Sequence, residues 1–125
     1  MLKSLQAIRY EKHIDLPFFG EEQQIKLLNS EVTIIGAGGL GCPVALYLCA
    51  SGLGKIKLID DDEISLSNLA RQILYSYNEL GSNKVDIEKD KLQNINPDCH
   101  VDSIYLYADV HAWSQISYKY ICILY

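Results

Sequence analysis

The run Val32-Thr33-Ile34-Ile35 breaks into Gly36-Ala37-Gly38-Gly39-Leu40-Gly41 and is followed by a helix-like stretch, Cys42 to Ala50. The glycine spacing, GxGxxG, constrains the fold tightly: a buried strand, a sharp turn, then a helix. Gly36 lets the backbone turn at the strand end, and Gly38 removes the Cβ that would hold the backbone away from a phosphate. Gly41 lets the helix lie close to the strand. The first helical turn offers unpaired N–H groups and the positive end of its dipole, so an anion is stabilised there. Pro43 falls within that turn, where a missing N–H costs little.

Glycines at this spacing also occur in purely structural turns. The next strand, Lys55 to Asp60, sharpens the reading, because it ends on an acid nineteen residues after Gly41. That is the place of a carboxylate that hydrogen-bonds a ribose hydroxyl in nucleotide-binding βαβ units. The crossover between the two strands is expected to be right-handed. Asp61, Asp62 and Glu63 follow at the carboxyl end of the strand, where open α/β sheets bind ligands. Asp61 reads as part of an acidic surface turn.

A chain of 125 residues with 49% hydrophobic content can bury one core, so residues 1–125 are expected to form a single domain with residues 1–19 as an N-terminal arm. The net charge of −5 argues against a nucleic-acid partner, whose footprint is a basic surface. A phosphate site must then be assembled locally. Cys42, Cys49, Cys99 and Cys122 contain no CxxC pair, so neither a zinc site nor a thioredoxin-like redox motif is supported. They read as reduced, partly buried thiols, and Cys42, with apolar neighbours, as a packed side chain rather than a reactive one. His13, His100 and His111 lie beside no obvious nucleophile and read as surface or structural. The N-terminus lacks the apolar core of a signal peptide, and the stretch from Leu40 to Leu53 is too short and interrupted to cross a bilayer. A soluble, cytoplasmic protein with no membrane partner is expected.

Along the rest of the chain, Ala7 to Phe19 reads as an arm that packs on something, and Glu21 to Asn29 as a short helix with acids in its first turn. Leu66, Leu69, Ile73 and Leu74 recur at roughly helical spacing within Ser65 to Leu74, with Ser67, Asn68, Arg71 and Gln72 as a polar cluster. Ser82 is a plausible N-cap for a helix running to about Asn94 and stopped by Asn96-Pro97, with a thin stripe of Val85, Leu92 and Ile95. A third strand is expected at Val101 to Leu106, a short helix at Val110 to Ile116 and a fourth strand at Tyr120 to Leu124. The tyrosines at Tyr105, Tyr107, Tyr118 and Tyr120 fall in strand-like runs, where β-propensity explains them. The fold class is therefore α/β: a Rossmann-like parallel sheet of about four strands in the order 3-2-1-4, with helices on both faces, half of a doubly wound domain.

Taken together, six pieces in this order resemble the ATP-dependent adenylyltransferases of the ThiF, MoeB and HesA type, related to ubiquitin-activating enzymes. They are Arg9-Tyr10, Gly36 to Gly41, Asp60-Asp61-Asp62, Ser67-Asn68-Leu69-Ala70-Arg71-Gln72, Gly81-Ser82-Asn83-Lys84 and Asn96-Pro97. The resemblance implies activation of the C-terminal carboxylate of a ubiquitin-like sulfur carrier or a peptide: the carboxylate attacks the α-phosphate of ATP, giving an acyl adenylate and pyrophosphate. It implies Gly36, Gly38, Gly39 and Gly41 as the phosphate-facing loop, Asp60 on the ribose with Asp62 beside it, and Asn68, Arg71 and Lys84 on the triphosphate. Arg71 and Lys84 would be the catalytic cations. In the family a second arginine of the arm reaches the partner subunit's ATP site, which implies a homodimer; Lys12 stands at that position. Lysine keeps the charge but loses the bidentate fork. The implied cofactors are ATP and magnesium, whose carboxylate is expected beyond Tyr125 with the second half of the sheet; no zinc site is expected within the chain.

Glu88 and Lys91 also depart from the family, which favours alanine at both positions. Two long charged side chains on a packed face are costly unless they reach solvent or pair with one another at i,i+3. Two other readings remain open: a truncated, non-catalytic module that binds nucleotide or dimerises, and a NAD-dependent oxidoreductase, in which Ser67 to Gln72 would have no role.

Overall fold

The computed structural model describes residues 1–107 and 121–123. Helices α1 (Ser4–Arg9), α2 (Glu11–Ile14) and α3 (Gly20–Leu28) lead into β1 (Glu31–Ile35), α4 (Gly41–Ser51) and β2 (Lys55–Asp60). After two short 3-10 turns come α5 (Lys84–Ile95), β3 (His100–Tyr105) and β4 (Ile121–Ile123). The strands form one parallel sheet in the order β3-β2-β1-β4, as the sequence pattern predicts. The helix expected at Val110 to Ile116 lies outside the described residues.

Period-two alternation divides the sheet. On one face Ile34, Ile56, Leu58 and Val101 pack against Cys42, Ala45 and Cys49 of α4 and Val85 and Leu92 of α5. The other face carries Ile35 and Ile59 beside Ile104 and Leu106. Nearer the amino ends of the strands, ion pairs run from Lys57 to Glu31 at 2.8 Å and from Lys55 to Asp102 at 3.3 Å.

The arm contributes more than its mixed charge suggests. Tyr10 is fully buried, and its ring, together with the Gln24 amide, occupies the space beside Gly52, the left-handed residue (φ 98°) that ends α4. A Cβ at Gly52 would stand 2.4 Å from Gln24 Nε2 and 2.7 Å from Tyr10 Cε1, so glycine is required by both dihedral and space. The Tyr10 hydroxyl donates to Asp98 at 3.0 Å and accepts from Asn96 Nδ2 at 2.9 Å. Asn96, where the sequence places the end of α5, also donates to Cys49 O. His13 stacks on Tyr10 and lies 3.0 Å from Gln24, a structural role.

Two helix expectations need correction. Ser65 to Leu74 is a single 3-10 turn (Leu66–Asn68) followed by turns, and Leu66 and Ile73 are exposed while Asn68, Gln72 and Leu74 are buried. Ser65 and Asn68 bond across the turn, Asn68 Oδ1 accepting from Ser65 N–H at 2.9 Å, and this local pairing competes with a continuous helix. In α5, which starts at Lys84 with Asn83 rather than Ser82 flanking it, the inward stripe is Val85, Glu88 and Leu92, and Ile95 is partly exposed.

Glu88 and Lys91 do not pair with each other. Glu88 points into the core, while Lys91 turns to Glu79 at 2.6 Å and to the carbonyl of Leu74.

Removing the Tyr10 hydroxyl deletes two hydrogen bonds at a buried docking point. Tyr10→Phe is expected to lower stability by roughly 1–3 kcal/mol, read as a lower urea midpoint with an unchanged m-value.

Candidate functional site

The carboxyl ends of β1, β2 and β3 open into a cleft of about 790 Å³. Its floor is the glycine loop. A Cβ on Gly41 would lie 1.9 Å from Gly36 O, so the first turn of α4 presses directly on the turn that leaves β1. The first hydrogen bonds of α4 run from Cys42 N to Gly38 O at 3.0 Å and from Val44 N to Leu40 O at 3.3 Å. The amides of Gly39, Leu40 and Gly41 precede them at the positive end of the helix.

Ala37 is held through both of its backbone polar groups. Its N–H donates to Asp60 Oδ2 at 2.7 Å, and its carbonyl lies 2.8 Å from the Tyr75 hydroxyl. Asp60 Oδ1 in turn accepts from Asp62 N–H at 2.8 Å. The strand-end acid thus organises the loop besides facing the cleft.

A second wall comes from Asn68 to Gln72 and from the start of α5. Ile64 and Gly81 bond each other's segments (Ile64 N to Ser82 O, Gly81 N to Ile64 O, both 2.9 Å), and Lys84 N donates to Asp62 O. This pairing fixes Lys84, whose nearly buried ammonium lies 3.3 Å from Asp62 Oδ2 at the edge of the cleft. Arg71 is exposed, donates to Ser67 O at 3.1 Å, and lays its side chain along Gly39, where a Cβ would stand 3.5 Å from Arg71 Cδ. Two cations therefore line the cleft, Arg71 along the glycine loop and Lys84 beside Asp62.

Of the residues singled out in the sequence, Gly36, Gly38, Gly39, Asp60, Asp62, Asn68, Arg71 and Lys84 line the cleft. Gly41 lies behind the loop. Lys12 is not brought to the cleft: it is exposed on α2 and pairs with Glu11 at 3.4 Å. The reason is mechanical. Tyr10 docks the arm at the C-terminal end of α4, and eleven helical residues, about 16 Å, separate that end from the glycine loop.

Gln72, Leu106 and Tyr107 complete the lining. Gln72 is buried with its Oε1 unpartnered among the described residues, the mark of a group kept for a ligand or water. No period or spacing in the sequence sets it apart from a solvated turn residue.

Behind the loop, Cys42 is fully buried, and burial followed by the nearby Glu88 pushes its thiol up to about 12, so it is a packed thiol. Cys49 and Cys99 are likewise buried and free. No helix among the described residues is long and apolar enough to cross a membrane.

An α/β sheet with a glycine loop, a strand-end acid and two facing cations defines the class, and the chain belongs to the ThiF family, whose model matches residues 10–124. It is 50% identical over 93 residues to a probable molybdopterin-synthase adenylyltransferase of Porphyra purpurea, and 47% identical over 111 residues to the adenylyltransferase and sulfurtransferase MOCS3 of Drosophila yakuba. These alignments cover 74% and 89% of this chain but 24% and 22% of the relatives, so the chain spans roughly a quarter of their length.

Among solved structures, E. coli MccB with ATP superposes at a TM-score of 0.72 with 39% identity, over 75% of this chain and 28% of that one. TcdA (CsdL) superposes at 0.88 with 23% identity, over all of this chain and 50% of that one, a likeness of fold.

Burial is the main reason that the Glu88 carboxyl is raised from its ordinary value to about 7, with the Asp60 charge adding to it. A raised acid holds in the folded state a proton that the unfolded chain has released. Its contribution to stability is complete below the ordinary carboxylate pKa and is lost as pH rises through about 7. Glu88→Gln, which carries no charge, is therefore expected to exceed the parent in stability at about pH 8 by roughly 1–3 kcal/mol and to match it near about pH 4. Urea unfolding at the two pH values checks this.

Proposed function

We propose that this chain supplies the ATP-binding portion of an adenylyltransferase that activates a terminal carboxylate as an acyl adenylate. The observation that carries the reading is the convergence of Arg71, Lys84 and the amides of the glycine loop on one cleft whose rim holds Asp60. Attack of a carboxylate on an α-phosphate brings anions together, so the demand is electrostatic. Two cations and a helix N-terminus across from one another meet that demand.

Asp60 is suited to a ribose hydroxyl, and Gln72 Oε1 offers an acceptor for a sugar hydroxyl or the amino group of a base. The bound nucleotide supplies the adenylyl group and its pyrophosphate leaving group. The chain's part is to hold the phosphates and to spread their charge. Lys84 gains a stronger partner when a phosphate enters, since its present one, Asp62, is a largely exposed carboxylate at 3.3 Å.

Asp60, Asp61 and Asp62 bring carboxylate oxygens within 4.8 Å of one another. They are poorly made for magnesium: Asp60 is engaged by two backbone N–H groups and Asp62 by Lys84. No step is assigned to a metal held there.

The relatives point to acceptors of the sulfur-carrier or peptide type. MccB has been solved with N-formylated MccA, and the curated relatives bear molybdopterin-synthase and sulfurtransferase names. We extend to this chain a carboxylate acceptor of that kind and a homodimer in which Lys12 acts only across the subunit contact. A cytoplasmic location goes with such chemistry.

Equilibrium binding tests the reading. The chain is expected to bind ATP in preference to NAD, and Arg71→Ala, a change at an exposed side chain that leaves the core intact, to weaken ATP at least about tenfold, the value of one charge-assisted phosphate contact. Equal affinity of the variant, or preference for NAD, would contradict it.

A further inference from the structure

Directly beneath the glycine loop lies a chain of buried groups that no step above uses. Glu88 of α5 is wholly buried, with Oε2 3.2 Å from the Tyr75 hydroxyl and Oε1 without a partner among the described residues. Tyr75, also buried, is 2.8 Å from Ala37 O in the loop. The groups facing Glu88 are Tyr75 after the 3-10 turn, Cys42 of α4, Asp60 of β2 and Lys84 at the head of α5. Lys84 directs its ammonium to Asp62, so among the described residues no cation bonds the Glu88 carboxyl.

Proton counting decides what this arrangement can do. A tyrosine hydroxyl has one hydrogen and two acceptors within reach, Ala37 O and Glu88 Oε2. When Glu88 is a neutral acid, its O–H donates to Tyr75 Oη and the Tyr75 hydrogen goes to Ala37 O, so each hydrogen in the chain of groups has an acceptor. When Glu88 is ionised, the carboxylate has the Tyr75 hydrogen as its only donor among the described residues and takes it. Ala37 O is then left with the Cys42 thiol at 3.5 Å, a weak donor.

We propose that Glu88 is a positioning residue for the glycine loop: as the neutral acid it leaves the Tyr75 hydroxyl to hold the Ala37 carbonyl, and its ionisation releases that hold and lowers nucleotide affinity. Ala37 is the lever because its N–H sits on Asp60, the same acid that faces the cleft. Loosening the carbonyl side of Ala37 shifts the loop and the acid together. Burial raises the Glu88 carboxyl to about 7, which places the change between mildly acidic and mildly alkaline conditions.

The inference rests on the nucleotide reading, so its test has one readout that needs no nucleotide. In 1H–15N spectra of the free chain, the Ala37 amide is expected to shift with pH around neutrality in the parent and to stay constant in Glu88→Gln, whose amide donates to Tyr75 at every pH. In the binding assay, ATP affinity of the parent is expected to fall by about 3- to 10-fold between about pH 6 and about pH 8.5, the worth of one hydrogen bond. Glu88→Gln reports the ligand's own titration and is expected to lack that additional fall. Tyr75→Phe is expected to bind weakly at both values; should it fail to fold, the isosteric Gln variant carries the test.

An Ala37 amide that titrates alike in parent and Glu88→Gln, or pH profiles of binding that coincide, overturns the role of Glu88. A parent that binds no ATP at any pH sinks the nucleotide reading instead, and the amide titration still decides this one.

Discussion

The contact on which the structure turns is the approach of α4 to the end of β1, where Gly41 leaves no room for a side chain against Gly36 O. With that approach, the N-terminus of α4 abuts the glycine loop that lines the cleft, and Cys42 and Ala45 are carried into the core against Ile34 and Ile56. It also sets Ala37 where Asp60 and Tyr75 can grip it from opposite sides. Packing and binding geometry thus share one backbone contact. The same close approach that a phosphate loop needs is what lets a sheet and helix bury their common face.

Around this contact the polar interior is unusual. Glu88, Gln72, Lys84, Asn96 and Gln24 are all buried. Gln24 and Asn96 are satisfied by backbone and by Tyr10, and they join arm, α4 and α5 into one docking point. Glu88 and Gln72 each retain an oxygen with no partner among the described residues. Unsatisfied buried acceptors cost stability, by about 1–3 kcal/mol each, and both of these lie at or directly beneath the cleft. Gln24 and Asn96, remote from the cleft, are paired for structure, while Glu88 and Gln72 beside it each keep an oxygen without a partner among the described residues.

Much of this was legible in the residues. The glycine loop, Asp60 and strand order 3-2-1-4 follow from alternation, glycine spacing and the handedness of the crossover, which are local signals. Asn68, Arg71 and Lys84 were legible only through the family resemblance, since Ser65 to Leu74 mimics a helical stripe and folds as turns instead. The buried places of Tyr10, Gln72 and Glu88 were not legible. Each depends on what a side chain meets from another segment, such as Tyr10 at Gly52 or Glu88 at Tyr75, and a mixed-charge run looks alike whether it docks or stays in solvent. The anchor at Tyr10 likewise decides where Lys12 lies, exposed on α2 and away from this chain's own cleft.

The central claim is that the glycine loop, Asp60, Arg71 and Lys84 surround one nucleotide. Its most direct test is a 1H–15N titration of the chain with ATP, following every amide. Perturbations concentrated at residues 36–41, 60–62, 68–72 and 84 are predicted. Perturbations at α1 to α3 instead, or none at saturating ATP, would contradict it.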